Sequence, residues 1–275
     1  MRRHRYSVPL ALTAFLCACS GDSGTTSPTP PTPPGTTVLL REVVLSRLPS
    51  PYYQFTYDAA GRITTASFAA GTRVYDVSYE GDRISEMRND ALGNHDRLAY
   101  AYDGAGRVAG VSYIDSNGQV FTRVSFTYLG QKLTGVERQR KLGTDFVVDK
   151  TTTLSYYADG NLLQITVHRP AIDGQQTETT TVDRFEQYDD KVNVDGFGLI
   201  HDDFFDHLVL LPGVQLQKGN PAKETFSGGA LDFTVDYTYT YDDRGRPLAK
   251  IGAAKFLTGP DAGRSFEVRS DFSYF

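Results

Sequence analysis

Leu231-Asp-Phe-Thr-Val-Asp-Tyr-Thr-Tyr-Thr-Tyr241, followed at once by Asp242-Asp-Arg-Gly-Arg-Pro247, decides how this chain folds. Leu231, Phe233, Val235, Tyr237, Tyr239 and Tyr241 alternate with Asp and Thr without a break. A strand sends successive side chains to opposite faces, so the stretch has one apolar face and one wet face. The turn after it has a mechanism. Asp suits the first position of a type I turn, and Gly245 suits the φ > 0 position that closes a three-residue hairpin loop with a bulge.

Working outward, the unit recurs. Phe55-Thr-Tyr-Asp-Ala-Ala-Gly-Arg-Ile63 and Ala99-Tyr-Ala-Tyr-Asp-Gly-Ala-Gly-Arg-Val108 match Tyr239-Thr-Tyr-Asp-Asp-Arg-Gly-Arg-Pro247. Leu154-Ser-Tyr-Tyr-Ala-Asp-Gly-Asn-Leu162 keeps Tyr and Gly but moves the Asp. Val77-Ser-Tyr-Glu-Gly-Asp-Arg-Ile84 and Phe126-Thr-Tyr-Leu-Gly-Gln-Lys-Leu133 are one residue shorter, with Gly first, as a two-residue II′ loop wants. Between these turns lie second reversals at 69–72, 90–96, 115–118, 141–145 and 170–177. In a meander alternate turns lie at opposite ends, so one end carries uniform Tyr-Asp turns and the other carries variable loops. Specificity belongs on the variable end.

The turns resemble the YD repeats of Rhs-type and teneurin-like proteins, whose short form is Tyr-Asp-x-x-Gly-Arg. The order of features is similar to that of a family of uncharacterised Bacteroidetes-type lipoproteins. These carry a lipobox, a tether, Tyr-Asp hairpins, an Asn-Pro-containing break and a last strong copy. Here Tyr188-Asp-Asp-Lys-Val-Asn193 and Gly219-Asn-Pro-Ala-Lys223 occupy that break. The longer Rhs proteins wrap dozens of repeats into a shell around a toxin; six or seven hairpins cannot enclose one.

The amino-terminal end reads as an address. Arg2, Arg3 and Arg5 precede an apolar run, Val8 to Ala18, too short to span a bilayer. Leu16-Cys-Ala-Cys19 resembles the lipobox of bacterial lipoproteins, which implies cleavage of residues 1–18 and acylation of Cys19. The alternative is an ordinary secretory signal or an uncleaved anchor. Ser20, not Asp, follows Cys19, which favours the outer membrane. Residues 19–37 form a tether rich in Pro, Thr and Ser, with Pro28, Pro30, Pro31, Pro33 and Pro34 and no apolar pattern. Residues 38–275 then form one all-β domain, a curled antiparallel meander of some fourteen strands.

Both cysteines, Cys17 and Cys19, lie in the address, so the domain has no disulfide framework, thiolate metal site or cysteine nucleophile. Removing residues 1–18 leaves 25 basic against 33 acidic residues, and a net negative surface is a poor partner for nucleic acid.

Residues 178–230 interrupt the pattern. Phe204, Phe205, Leu208 and Leu211 have helical spacing, acids stand at the start, and Pro212-Gly213 ends the run. This spacing predicts one short amphipathic helix capping the apolar sheet face. On it lie His201, Asp202, Asp203, Asp206 and His207, with Asp203 and His207 four apart, as paired helical metal ligands are. The plainer reading is a solvated helix face with acids matched to the dipole. The tyrosines suit stacking against sugars, or simply the core. Arg62, Arg83, Arg107, Lys132 and Arg246 form a basic row, or each pairs with a turn acid such as Asp58 or Asp103.

Two functions follow. The first is an envelope-anchored, non-enzymatic module for a glycan, peptide or protein, with no cofactor and no nucleic acid. The second is a metal-dependent hydrolase using the 201–207 segment. An outer-membrane barrel, suggested by the aromatic ending Phe-Ser-Tyr-Phe275, fits less well, because the tyrosines spread along the strands instead of forming two girdles.

Overall fold

The computed structural model describes residues 38–89, 95–201 and 206–275. The leader, Cys19, the tether, Asp90 to Asn94 and Asp202 to Phe205 lie outside the described residues. Sixteen strands follow one another. The first eight are β1 (Leu40–Leu45), β2 (Tyr53–Tyr57), β3 (Ile63–Phe68), β4 (Arg73–Glu80), β5 (Arg83–Asn89), β6 (Asp96–Tyr102), β7 (Val108–Ile114) and β8 (Val120–Leu129). The second eight are β9 (Lys132–Leu142), β10 (Asp145–Tyr156), β11 (Leu162–Arg169), β12 (Thr179–Tyr188), β13 (Pro221–Ser227), β14 (Phe233–Tyr241), β15 (Pro247–Phe256) and β16 (Ser265–Tyr274). Each pairs antiparallel with the next, and β16 returns to β1.

The meander therefore closes into a barrel, where the sequence led us to expect a curled sheet with a helical cap. Closure removes both sheet edges, which an open sheet must otherwise cover. β12 and β13 are the strands that the alternation conceals. Their inward positions include Asp183, opposite Phe226, and Glu224, opposite Phe185.

The Tyr-Asp turns form as expected. Gly61, Gly106 and Gly245 have φ of 78°, 81° and 73°. In each turn the Asp carboxylate (Asp58, Asp103 or Asp242) accepts backbone N–H bonds from the residues two and four positions on. Gly81 and Gly130 open the two-residue loops at φ of 61° and 60°, while Asp82 and Gln131 keep negative φ, as a II′ turn requires.

Inward positions hold the core, with Val43, Phe55, Tyr75, Ile84, Met87, Leu98, Leu133 and Phe185 all nearly inaccessible. Polar residues hold many outward positions, beside apolar ones such as Phe146 and Ile251. On β14 the polar ones are Thr234, Asp236, Thr238 and Thr240; on β8 they are Arg123, Ser125 and Thr127. Arg88–Glu86–Arg97, Arg184–Glu186 and Arg269–Asp271 pair across this outer surface.

The 189–220 connection between β12 and β13 leaves and re-enters at the Tyr-Asp rim, so that rim is not uniform. Its neck is tied by Asp189 N–H to Asn220 O (3.1 Å) and by Asn161 Oδ1, which accepts the Lys218 and Gly219 amides. From there it runs into the lumen. The expected helix does not form among its described residues: residues 206–211 carry no helix, and the regular piece here is a 3₁₀ turn, Gly196–Ile200. Of the apolar residues that imitate a helical stripe, Phe204 and Phe205 lie outside the described residues, Leu208 is buried in the barrel core and Leu211 packs partly buried against it. Tertiary burial overrides the local pattern here.

Candidate functional site

The lumen holds three of the titratable residues that the sequence placed on a helix face, His201, Asp206 and His207. His201 follows the 3₁₀ turn and reaches Tyr53 at the start of β2. Its Nδ1 accepts the Tyr53 hydroxyl (2.9 Å), its Nε2 faces the Asp206 carbonyl (3.4 Å), and its ring sits edge-on to Phe68. His207 is held in the same way by another strand. The Tyr75 hydroxyl of β4 donates to its Nδ1 (2.6 Å), Asp96 Oδ2 of β6 lies 3.4 Å from its Nε2, and Tyr113 of β7 packs edge-on. These partners assign the neutral tautomer with the proton on Nε2. Burial, reinforced by Arg73, pushes the pKa of His207 down to about 4, against the pull of Asp206. Burial raises that of Asp96.

Asp206 meets Arg138 Nη1 of β9 at 2.5 Å and Lys150 Nζ of β10 at 3.8 Å. Arg138 also grips Asp149, only 1% exposed, through Nε and Nη2 at 3.0 and 2.9 Å. Burial works against the ionised Asp206, but Arg138 and Lys150 outweigh it and hold the carboxyl below its usual range. The space among Tyr113, Arg138, Lys150, His201, Asp206 and His207 is about 30 Å³, room for roughly one water. That is a latch between lumen segment and wall, with no room for a substrate.

The hydrolase geometry is accordingly not assembled as expected. His201 and His207 are not successive turns of a helix; each imidazole is bonded to a different wall tyrosine. Asp202 and Asp203 lie outside the described residues. Among the described residues no group of three or more His, Cys, Asp or Glu is placed to hold a metal ion. Sequence reasoning missed Arg138, Asp149, Lys150, Tyr53 and Tyr75 as partners. A signal existed: Arg138 and Lys150 share an inward face with Val136 and Leu154, where a charge is out of place.

A second polar group lies on the opposite wall. Glu224 accepts the Tyr237 hydroxyl (2.5 Å), Asp183 lies nearby, and Lys250 pairs with Asp195 of the lumen segment (3.1 Å). Burial raises the pKa of both Asp183 and Glu224; the Glu224 charge adds to the rise at Asp183, and the Asp195 charge to that at Glu224.

At the rim the tyrosines do two things. The hydroxyls of Tyr57, Tyr79, Tyr102, Tyr128, Tyr156, Tyr188, Tyr239 and Tyr274 donate to backbone carbonyls at the start of the preceding strand. Those two strands are joined only at the far rim, so each hydroxyl closes a seam. The basic row then stacks on the next tyrosine: Arg62 on Tyr79, Arg83 on Tyr102, Arg107 on Tyr128, Lys132 on Tyr156 and Arg246 on Tyr274, at 4.3 to 5.2 Å. Arg62, Arg107 and Arg246 also pair with their turn aspartates at 2.7 to 2.8 Å. The row is structural: all five cations stack on rings, and three of them are paired with turn acids.

Beside this rim, between β1–β5 and residues 210–215, lies an open cleft of about 670 Å³.

No family model matches the chain, and none of the curated proteins matches it. Among solved structures it is similar to a porin-like protein from Bacteroides uniformis, with 14% identity and a TM-score of 0.57 over 81% of this chain and 89% of that one. A porin-like protein from Bacteroides vulgatus gives 15% identity and 0.57 over 86% and 99%. The pore of the Photorhabdus luminescens Tc holotoxin gives 17% identity and 0.31 over 78% and 12%, and no argument rests on it. At these identities the two Bacteroides structures show a shared barrel fold.

Proposed function

We propose that this chain is a non-enzymatic binding or scaffolding module, a water-facing barrel held at a bacterial envelope by lipid on Cys19. One observation carries this reading: the barrel's outer wall carries many charged and polar side chains, and described residues of the 189–220 connection occupy its lumen. A barrel that crosses a membrane presents an apolar band, and one Arg or Lys on its lipid face costs roughly 2–4 kcal/mol at the midplane. Here that face carries Arg123, Arg184, Lys223 and Asp236. Such an outer wall fits a soluble domain on the 19–37 tether, with 1–18 as the leader. The recurrent turn geometry and the Bacteroides barrels support the kinship with YD-repeat lipoproteins of the outer membrane. Binding then belongs to the rims, where a glycan, peptide or protein meets loops such as 170–177 and 259–264.

The test is fractionation of the full chain and its Cys19→Ser variant after labelling with palmitate. The expected result is label and membrane attachment for the parent, with the variant unlabelled, folded and soluble without detergent. A variant that needs detergent, or that conducts ions across a planar bilayer, overturns the reading.

A further inference from the structure

We propose that the inner lip of the far rim, across β13–β16, binds a short oligosaccharide that carries one uronic acid at its end. This names a ligand class for the module proposed above and rests on that reading.

The floor is aromatic. Phe226, Phe233, Phe256 and Phe266 take inward positions beside the rim on four consecutive strands, with Phe226 paired to Phe233 and Phe233 to Phe256. Phe226 and Phe233 stack at 4.9 Å with planes 13° apart, and Phe256 and Phe266 lie 5.2 Å apart at 33°. All four are partly exposed, and none is part of the apolar core around the lumen segment. Three strand spacings spread the rings over roughly 14 Å. Such a ribbon of ring faces suits the apolar C–H faces of successive sugars. The loops that frame it are fastened to each other. The Leu257 N–H donates to Asp232 O (2.8 Å), the Asp232 N–H to Thr258 Oγ1 (2.9 Å), and the Gly263 N–H to Phe256 O (2.8 Å). A ligand here does not have to order them.

The charges decide where the acid sits. At the β16 end a hollow of about 270 Å³ is lined by Arg47, Phe256, Asp261, Arg264, Ser265 and Phe266. Arg264 is paired with Asp261, whereas Arg47 has no ion pair among the described residues and lies 5.7 Å over the Phe266 ring. Two guanidiniums against one carboxylate leave the hollow a positive charge, and the planar guanidinium matches a carboxylate. Arg47 holds φ of 69°, uncommon for a residue with a side chain. Its loop is fixed by the Ser46 N–H on Arg269 O (2.8 Å) and by the Ser50 hydroxyl on Leu45 O (3.1 Å). The other end of the ribbon meets Asp183, opposite Phe226. Burial and the Glu224 charge raise its pKa, so that end suits uncharged hydroxyls and not a second anion. A nucleic acid would need a cation at every step, and the ribbon has one at a single end. An extended peptide gains no backbone pairing, because the closed barrel has no free strand edge.

The experiment titrates the full-length Cys19→Ser chain with glucuronosyl-xylobiose by calorimetry, beside neutral xylotriose and the peptide acetyl-Gly-Gly-Phe, which carries one carboxylate and no sugar. Glucuronosyl-xylobiose should bind roughly tenfold more tightly than xylotriose, the worth of one charge-assisted hydrogen-bonded pair. High salt should narrow that gap. Arg47→Gly, which accepts φ of 69° without strain, should remove the gap with the melting temperature nearly unchanged. Phe266→Leu, which keeps an apolar side chain but no ring face, should weaken both sugars alike. The inference falls if neither sugar binds, if both bind equally well, if the folded Arg47→Gly chain keeps the preference, or if the peptide binds as tightly as the acidic sugar. If the parent takes up palmitate and the soluble, folded variant binds no sugar, the anchored-module reading stands and this one alone is removed.

Discussion

The Tyr-Asp rim and the lumen segment 189–220 are both polar, aromatic and hydrogen-bonded, yet they are built on opposite principles. At the rim the bonds of the turns and the tyrosine seams are short in sequence. Asp103 serves Ala105 and Arg107 within its own turn, and Tyr128 reaches Val108, twenty residues back. In the lumen the bonds join distant parts of the chain: Tyr53 to His201, Tyr75 to His207 and Arg138 to Asp206. The rim repeats one local solution around the barrel, so losing one copy leaves the others intact. Each lumen contact is made once and is buried, so its loss exposes a charge or a polar atom to a low-dielectric interior.

The sharpest way to break that contrast is Arg138→Ala. It leaves Asp149 with only Arg140 Nε at 3.7 Å and Asp206 with only Lys150 Nζ at 3.8 Å, and removing one side of a buried ion pair costs roughly 3–5 kcal/mol. Chemical denaturation should show a loss of that size; a loss below the rim value given below would erase the distinction.

Next in size is a pH effect confined to the lumen. The folded pKa of His207 lies near 4, below the ordinary value of about 6.5. The unfolded chain therefore takes up a proton first as pH falls. Stability from this group is complete above about 6.5 and is lost on acidification through about 4, at up to ~1.4 kcal/mol per pH unit. His207→Gln should flatten that limb of the stability–pH curve. An unchanged slope would mean that the imidazole is not held neutral by burial.

The smallest effect belongs to the rim. Gly106 has φ of 81°, and an added Cβ would sit 2.9 Å from the Arg83 guanidinium, whose flexible end can move aside. Gly106→Val should therefore cost roughly the 1–2 kcal/mol of the left-handed region. Gly104→Val, in the same turn but at negative φ and with nothing nearby, should cost less. Equal denaturation midpoints would show that the turn does not impose its φ on the chain.

The same contrast explains what could be read in advance. Period-two alternation marks β14 and β8 because their inward residues are apolar and their outward ones are Thr, Ser, Asp and Arg. It fails at β12 and β13, where Asp183 and Glu224 face inward because the lumen holds polar partners, Lys250 and Tyr237. Among the described residues of the 201–211 run, Leu208 and Leu211 stand three apart as in a helix, yet each is apolar because it packs separately against the barrel core. Of the candidate site, His201, Asp206 and His207 were visible as a cluster, but their partners were not. The basic row was visible too, and one of its two alternatives, pairing with turn acids, holds for Arg62, Arg107 and Arg246. The stacking on the next tyrosine was not foreseen.

Most strands, though not β12 and β13, were legible locally in the sequence, as were the turn chemistry and the antiparallel order of neighbours, because these depend on side-chain alternation and on φ preferences within a few residues. Only the tertiary structure decided that the sheet closes and that 189–220 turns inward. The final pairing of β16 with β1 and the meeting of His207 with Tyr75 join residues far apart in the chain. Their stability comes from the surface buried when the whole barrel is assembled, a quantity that no local window of residues contains.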